Sequence, residues 1–165
     1  MCIRDRYDCN RIMQSVIDDM GNRGLSFKGV INGGFFKTKD GIKFMEFNGR
    51  FGDPEGLNVL SVLDGSFSKI VASLWDGTLS ENDVRFQKKA SVVKYMVAKE
   101  YPNTSMESTV FEIDEQAISK LGVDTFLASC LKIGDCKYET LRKSRVVAFA
   151  AVSDCTKHTL SLIHI

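Results

Sequence analysis

The chain has 165 residues, with 22 basic and 21 acidic side chains and a formal net charge of +1. This balance excludes the strongly basic surface that binding to nucleic acid or to an anionic membrane requires. The hydrophobic fraction is 44%, typical of a protein with a packed core, and no apolar run approaches the roughly 20 residues of a membrane span.

The cysteines and histidines exclude several kinds of site. The five cysteines are odd in number and show no C-x-x-C spacing: Cys2, Cys9, Cys130, Cys136 and Cys155. The pattern is typical of reduced thiols in a cytoplasmic protein rather than of a disulfide framework or a zinc site. The two histidines, His158 and His164, lie near the end of the chain, so we expect no histidine catalysis in its body.

The first elements are a helix and a hairpin. Apolar residues recur at three- and four-residue steps after Asn10 and predict an amphipathic helix that ends at Gly21 and Gly24. Residues 27–38 and 42–48 are strand-like and are joined through Asp40-Gly41, a strong hairpin signal. Gly33 and Gly34 interrupt the first strand and indicate either a close approach by a ligand or by neighbouring backbone, or a β-bulge.

The second strand carries the chemistry-bearing residues. Because side chains alternate along a strand, Glu46, Asn48 and Arg50 share one face, and Met45 and Phe47 are expected on the opposite, core face. A carboxylate and an amide oxygen two residues apart suit a magnesium ion that carries substrate phosphates. The planar guanidinium of an arginine suits a phosphate or an oxyanion. The spacing is also compatible with an ordinary solvated strand face.

Two helical stretches follow. Pro54 suits a first helical turn, and the apolar residues from Leu57 to Leu63 predict a short helix or a buried run. Ser66 is a candidate cap for a helix that Gly77 ends. We predict that Phe67 and Trp75, which lie on the apolar stripe of this helix, are core residues.

Residues 78–89 are polar and charged, and they form the candidate domain boundary. Beyond them we predict strands over residues 90–98, 109–113, 125–132, 137–141 and 145–152, and a helix over residues 115–121 that Asp114 caps. The predicted fold class is α+β.

An unbroken string makes the chemistry more specific. Residues 45–55 read Met-Glu-Phe-Asn-Gly-Arg-Phe-Gly-Asp-Pro-Glu, which closely resembles the signature of the phosphoribosylamine–glycine ligase family of the ATP-grasp superfamily. Residues 90–102 and 144–148 resemble strands of the small β-rich C-terminal domain of that family. One departure is Gly56-Leu57, where most of the family has Thr-Gln.

The resemblance implies a role for each residue of the string. Glu46 and Asn48 match the two metal ligands, for Mg²⁺ or Mn²⁺, and Arg50 matches the catalytic arginine that faces the transferred phosphate. Asp53 and Glu55 match the substrate-binding loop. We expect Asp53 to order this loop and one of the two acids to face the amine substrates.

The resemblance also implies an activity and a domain organisation. The activity is the ligation of glycine to 5-phosphoribosylamine through a glycyl phosphate, with ATP as co-substrate, in the cytoplasm. Residues 6–87 would be the C-terminal part of an ATP-grasp domain and residues 88–155 the small β-rich domain. The N-terminal half of the same polypeptide would be missing, so we expect the fragment to be inactive alone. The alternatives are another ATP-grasp carboxylate–amine ligase or a non-catalytic α+β module.

The two ends and the hairpin lysines are expected to be solvated. Residues 1–5 and 160–165 resemble translated sequencing adaptor, so we expect them to make few contacts. Lys37, Lys39 and Lys43 are expected on a solvated face around the hairpin turn.

Overall fold

The computed structural model describes residues 3–103, 107–141 and 144–163. The chain forms two compact units, Met1–Gly52 with Ser66–Asp83, and Asp53–Gly65 with Val84–Ile165. Both contain helices and antiparallel strands, so the predicted α+β class is confirmed. The predicted domain boundary between residues 87 and 88 stays a prediction, and the compact units differ from it in assigning Asp53–Gly65 to the second unit.

The regular elements follow the chain in this order: α1 Ile3–Asn22, β1 Asn32–Thr38, β2 Gly41–Asn48, α2 Glu55–Ser61, α3 Phe67–Asp76, β3 Ala90–Val97, β4 Val110–Glu112, α4 Glu115–Lys120, β5 Val123–Leu127, β6 Cys130–Gly134, β7 Lys137–Thr140, β8 Arg145–Ser153 and α5 Thr156–Ile163. None of these helices combines the length and the apolar character needed to span a bilayer.

Helix α1 begins earlier than predicted, and the expectation that residues 1–5 make few contacts is wrong for Asp5. The Asp5 carboxylate is buried and lies 2.7 Å from Nζ of Lys37 on β1. Residues 3–9 contain no glycine or proline that would stop a helix, and an acidic residue in the first turn favours one. Lys37 is mostly exposed, as expected, yet it is ion-paired rather than simply solvated.

Strands β1 and β2 form the predicted hairpin, with Gly41 at positive φ in the turn. The first strand begins at Asn32 rather than at residue 27. The pairing shifts from Gly34 opposite Glu46 to Phe35 opposite Phe44, so Met45 is the extra residue of a β-bulge. Of the two readings of Gly33-Gly34, the structure therefore contains the bulge.

Helix α3 has the predicted ends, because the Ser66 side chain accepts a hydrogen bond from the Lys69 amide and Gly77 adopts the left-handed conformation. The prediction that Phe67 and Trp75 are core residues is wrong, since they are 43% and 78% exposed. The helix has the apolar stripe that is typical of a helix packed on a core, but no described residue of α3 is buried.

The second unit contains two three-stranded antiparallel sheets, in the orders β3-β8-β5 and β4-β7-β6. The predicted single strand over residues 125–132 is wrong. The chain bends at Ala128 and Ser129, whose amides bond to carbonyls of β8, so β5 pairs with β8 and β6 pairs with β7. Sequence propensity is similar on both sides of this bend, and only the pairing partners separate the two strands.

Strand β8 is the centre of the packing. It runs between β3 and β5, and its residues from Val146 to Ala148 are at most 1% exposed. Every fully buried apolar side chain among the described residues lies in the second unit. The described part of the first unit therefore has no fully buried apolar core.

Helix α5 was not predicted, and the expectation that residues 160–165 make few contacts is wrong for Ile163. Ile163 is 6% exposed and belongs to a core cluster with Val123 and Ala151. Thr159 is fully buried, and its hydroxyl donates to the Cys155 carbonyl. Residues 164 and 165 lie outside the described part of the chain.

We predict that Ile163→Ala lowers the free energy of unfolding by about 2–5 kcal/mol, because it leaves a cavity beside Val123 and Ala151. The matched control is Leu160→Ala on the same helix, where the side chain is 44% exposed and the cost should stay below about 1 kcal/mol. Urea unfolding monitored by circular dichroism measures both. Equal effects of the two substitutions would mean that α5 does not pack as described.

Candidate functional site

Glu46 and Asn48 lie side by side near the end of β2. The Asn48 Nδ2 donates a hydrogen bond of 3.0 Å to Glu46 Oε1, so the prediction that the two side chains share a face is confirmed. Glu46 is exposed and Asn48 is half-buried. One carboxylate and one amide are thus held next to each other and remain accessible, and the amide nitrogen is the atom that faces Glu46.

Strand β1 extends this surface, which we name the Glu46–Asn48 face. Asn32 pairs with Asn48 and Gly34 pairs with Glu46 across the hairpin, and directly opposed residues of an antiparallel pair share a face. Asn32 adds a half-buried amide. Gly34 has no side chain that could cover Glu46.

Three aromatic residues of the hairpin pack against one another. The ring centroids of Phe44 and Phe47 lie 4.2 Å apart, and those of Phe35 and Phe44 lie 5.9 Å apart. The prediction that Met45 is a core residue beside Phe47 is wrong, because Met45 is 54% exposed. The bulge at Met45 changes the alternation of side chains, and a bulge cannot be placed from a period-two pattern alone.

The donor set fits a hard divalent cation that is held partly by substrate. Magnesium favours carboxylate and carbonyl oxygens and usually completes its shell with water and phosphate oxygens. The described residues contain no cluster of three or more acidic, histidine or cysteine side chains that could hold a metal alone. The Glu46–Asn48 face offers side-chain oxygens of this kind, and the metal-ligand roles of its residues stay a prediction.

Arg50 lies two residues after Asn48 in the chain. Its Nη1 donates a 2.8 Å hydrogen bond to the carbonyl of Phe51, and the side chain is exposed. The Phe51 ring lies 6.1 Å from that of Phe67, which packs this part of the loop against α3. No carboxylate pairs with Arg50 in the part of the chain that the structure describes. Within the described residues, its guanidinium is therefore not neutralised by an acidic side chain.

The Asp53 side chain is bound by two other residues of the second unit. Its Oδ1 accepts a 2.8 Å hydrogen bond from the Tyr95 hydroxyl, and its Oδ2 lies 2.9 Å from Nη2 of Arg145. Arg145 Nη1 also donates to the backbone carbonyl of Asp53, at 2.6 Å. The Arg145 guanidinium lies 5.1 Å from the centroid of the Tyr95 ring. We name these three residues the Asp53 clamp.

The clamp changes the acidity of the tyrosine. Burial raises the pKa of Tyr95 to about 12, with further contributions from its hydrogen bond to Asp53 and from the negative charge of that residue. The positive charge of Arg145 acts in the opposite direction. The Tyr95 hydroxyl therefore remains a hydrogen-bond donor to Asp53 throughout the physiological pH range.

Glu55 is the first residue of α2 and is exposed. Its side chain has no hydrogen-bond or ion-pair partner among the described residues. Gly56, where the resembled family usually has threonine, is buried. The two acids of the loop thus differ, since the Asp53 carboxylate is fully engaged and that of Glu55 is free.

Comparison with known proteins gives a consistent result. Residues 5–56 match the family model "Phosphoribosylglycinamide synthetase, ATP-grasp (A) domain". A phosphoribosylamine–glycine ligase of Methanosphaera stadtmanae is 41% identical over 93% of this chain and 35% of its own length. The ligase of Methanocaldococcus jannaschii is 36% identical over 87% of this chain and 32% of its own length.

This chain belongs to the phosphoribosylamine–glycine ligase family. A further ligase, from Methanocorpusculum labreanum, is 50% identical over 56% of this chain and 21% of its own length. The chain spans about a third or less of the length of these ligases. The family assignment confirms the predicted resemblance, while the roles of the individual site residues stay predictions.

Sequence reasoning assigned no site role to Asn32, Tyr95 or Arg145. Asn32 lies opposite Asn48 only because the bulge at Met45 shifts the register by one residue; the register of the turn alone would place Asn32 opposite Phe47, so the sequence pattern could not identify this neighbour. Tyr95 and Arg145 lie 42 and 92 residues from Asp53 in the chain. No local pattern in a ligase sequence points to partners at such separations.

We predict that Tyr95→Phe reduces the loss of stability at alkaline pH. Below about pH 10 the tyrosine is protonated in both the folded and the unfolded chain, so its contribution is fully present. As the pH rises toward about 12, only the unfolded chain releases the proton readily, and this contribution is lost. The parent should therefore lose more unfolding free energy than Tyr95→Phe between about pH 9 and about pH 11 in urea titrations.

The control for this measurement is Tyr7→Phe, because Tyr7 is 68% exposed on α1. This variant should keep the pH dependence of the parent. An unchanged pH dependence in Tyr95→Phe would contradict the described environment of Tyr95.

Proposed function

We propose that the full polypeptide containing this chain joins glycine to 5-phosphoribosylamine with consumption of ATP, giving glycinamide ribonucleotide, ADP and phosphate. The observation that carries the proposal is the contact between Glu46 and Asn48, 3.0 Å apart on one strand face of a chain that belongs to this ligase family. The proposal is also supported by Arg50, two residues after Asn48, whose guanidinium has no acidic partner among the described residues.

The proposed chemistry has two steps. A carboxylate oxygen of glycine attacks the γ-phosphorus of ATP, the bond to ADP breaks, and glycyl phosphate forms. The amine of phosphoribosylamine then attacks the carbonyl carbon, inorganic phosphate leaves, and the nitrogen loses a proton. Both steps develop negative charge on phosphoryl or acyl oxygens, so fixed positive groups lower the barrier.

Glu46 and Asn48 would hold Mg²⁺ or Mn²⁺ through their side-chain oxygens. When bound, the ion supplies positive charge that neutralises the phosphate oxygens during transfer. Because the chain itself contributes few ligands, the nucleotide phosphates would complete the coordination shell. The position of Asn32 opposite Asn48 makes it a candidate contact for the same phosphates or for bound water.

Arg50 would act as the catalytic cation. A guanidinium presents two parallel N–H groups to a phosphoryl or carboxylate anion, and a lysine ammonium cannot reproduce this contact. The hydrogen bond of Arg50 to the Phe51 carbonyl holds the side chain against its own loop while leaving other N–H groups free. The residue can therefore be positioned before substrate arrives.

The two acids of the loop would serve the amine side of the reaction. Glu55 is exposed and unpaired within the described chain, so its carboxylate can bind an ammonium or amine group of a substrate. Asp53 is hydrogen-bonded on both carboxylate oxygens and would order the loop. Of the two acids, Glu55 would therefore be the one that faces the amine substrate.

We propose that the ATP pocket requires the remaining part of the polypeptide. The chain spans about a third of the length of its curated relatives. The exposed apolar stripe of α3, with Trp75 78% exposed, is compatible with a covering segment in the longer protein. The 165-residue chain would then lack activity by itself.

We predict that the isolated chain shows no saturable binding of MgATP by titration calorimetry, whereas the full polypeptide does. The fragment would contribute only the oxygens of the Glu46–Asn48 face and no complete nucleotide pocket. Stoichiometric binding by the isolated chain at micromolar nucleotide would contradict this assignment.

In the full polypeptide, we predict that Glu46→Gln and Arg50→Lys each lower kcat by about 10²–10³-fold, because each removes charge or geometry at the transferred phosphate. The assay is ADP release that depends on both glycine and phosphoribosylamine, measured across magnesium and manganese concentrations. Asn48→Asp keeps an oxygen donor and should be milder than Asn48→Ala.

The matched control is Lys43→Ala, an exposed residue on the same strand as Glu46. It should retain parental turnover and the parental melting temperature. Folded Glu46→Gln and Arg50→Lys proteins with parental turnover would show that this hairpin face is only solvated surface.

A further inference from the structure

The Asp53 clamp engages every oxygen of one residue. Tyr95 donates to Oδ1, and Arg145 reaches both Oδ2 and the backbone carbonyl through its two terminal nitrogens. Arg145 is the first residue of β8, and Tyr95 lies on the neighbouring strand β3. The side-chain exposures of Arg145 and Asp53, 33% and 45%, show that this is a partly shielded contact.

We propose that Tyr95 and Arg145 are positioning residues that hold Asp53, so that the Asp53–Pro54 turn presents Glu55 to the amine substrate. The inference rests on the proposed function for the identity of that substrate. Asp53 itself would not contact substrate, because its carboxylate is already neutralised by a cation and occupied by a hydroxyl donor.

The bond to the backbone carbonyl is the step that connects the clamp to Glu55. A peptide unit is planar, so fixing the Asp53 carbonyl fixes the orientation of the whole Asp53–Pro54 peptide. The carbonyl of Pro54 in turn accepts from the amide of Leu57 at 2.9 Å and from that of Asn58 at 3.4 Å. Glu55 lies between the clamped peptide and these two bonds.

A second anchor holds the same segment. The Asn58 Oδ1 accepts a 2.9 Å hydrogen bond from the hydroxyl of Ser91 on β3. The segment from Asp53 to Asn58 is thus attached at both ends to β3 or β8. Glu55 is the acidic residue of this segment that is left free within the described chain.

The second unit contains a comparable network that serves as an internal control. Glu115 Oε1 accepts from the Tyr138 hydroxyl and lies 3.1 Å from Nζ of Lys132, which is 5.4 Å from the centroid of the Tyr138 ring. This network joins α4 to β6 and β7 and contains no residue of the segment from Asp53 to Asn58. Its loss should destabilise α4 without affecting Glu55.

The first experiment measures amide hydrogen exchange in the isolated chain by NMR. Tyr95→Phe and Arg145→Lys should accelerate exchange of the Leu57 and Asn58 amides by up to about tenfold, because each removes a hydrogen bond from the clamp. The reporter for α4 is the Ile118 amide, which bonds to the Asp114 carbonyl at 3.0 Å. Tyr138→Phe should accelerate exchange at Ile118 and leave Leu57 unchanged.

The second experiment measures kinetics of the full polypeptide. Tyr95→Phe, Arg145→Lys and Glu55→Gln should each raise the KM for phosphoribosylamine several-fold and leave the KM for ATP unchanged. In a Glu55→Gln background, Arg145→Lys should cause little further increase in the KM for phosphoribosylamine, because both substitutions act through the Glu55 carboxylate. Tyr138→Phe should keep parental values for both substrates.

The outcomes separate the two proposals. Faster exchange at Leu57 together with non-additive KM effects supports the positioning role. Unchanged exchange, unchanged KM or additive effects of Arg145→Lys and Glu55→Gln overturn it. If the parental polypeptide forms no ADP with glycine and phosphoribosylamine, the proposed function fails, and the exchange of Leu57 alone then decides whether the clamp orders the turn.

Discussion

The ion pair between Asp53 and Arg145 attaches the Asp53–Pro54 turn to the strand with the most buried residues in the described chain. Arg145 begins β8, and the strand continues through side chains that are at most 1% exposed from Val146 to Ala148. An exposed ion pair alone contributes little to stability. Here it is combined with a hydrogen bond to a backbone carbonyl and a tyrosine hydroxyl, so its main effect is to restrict the conformation of one turn.

The two units differ in how they are stabilised. The second has a closed core around Tyr138, Val146 and Val147, with α5 covering one side through Ile163. The described part of the first unit relies on the hairpin, a half-buried helix face and a few polar contacts such as that between Lys28 Nζ and the Trp75 carbonyl. Helix α3 is apolar along one side, yet none of its described residues is buried.

Among the described residues of the second unit, two carboxylates each accept from a tyrosine and pair with a cation that lies near the tyrosine ring. One instance surrounds Asp53 and the other surrounds Glu115. The cation lies 5.1 Å from the ring centroid in the first instance and 5.4 Å in the second, and in both the hydroxyl donates to a carboxylate oxygen. The arrangement allows a charged group to fix a loop or a helix start without full burial and its desolvation cost.

The sequence by itself determined the α+β class, the hairpin, the caps at Ser66, Gly77 and Asp114, and the shared face of Glu46 and Asn48. These features depend on local periodicity and turn chemistry, which act over a few residues. The tertiary structure alone decided that Met45 is a bulge residue, that residues 125–132 divide between two sheets, and that Ile163 is part of the core. It also decided that Arg145 and Tyr95 hold Asp53, because these contacts join residues far apart in the chain and depend on which strands pair.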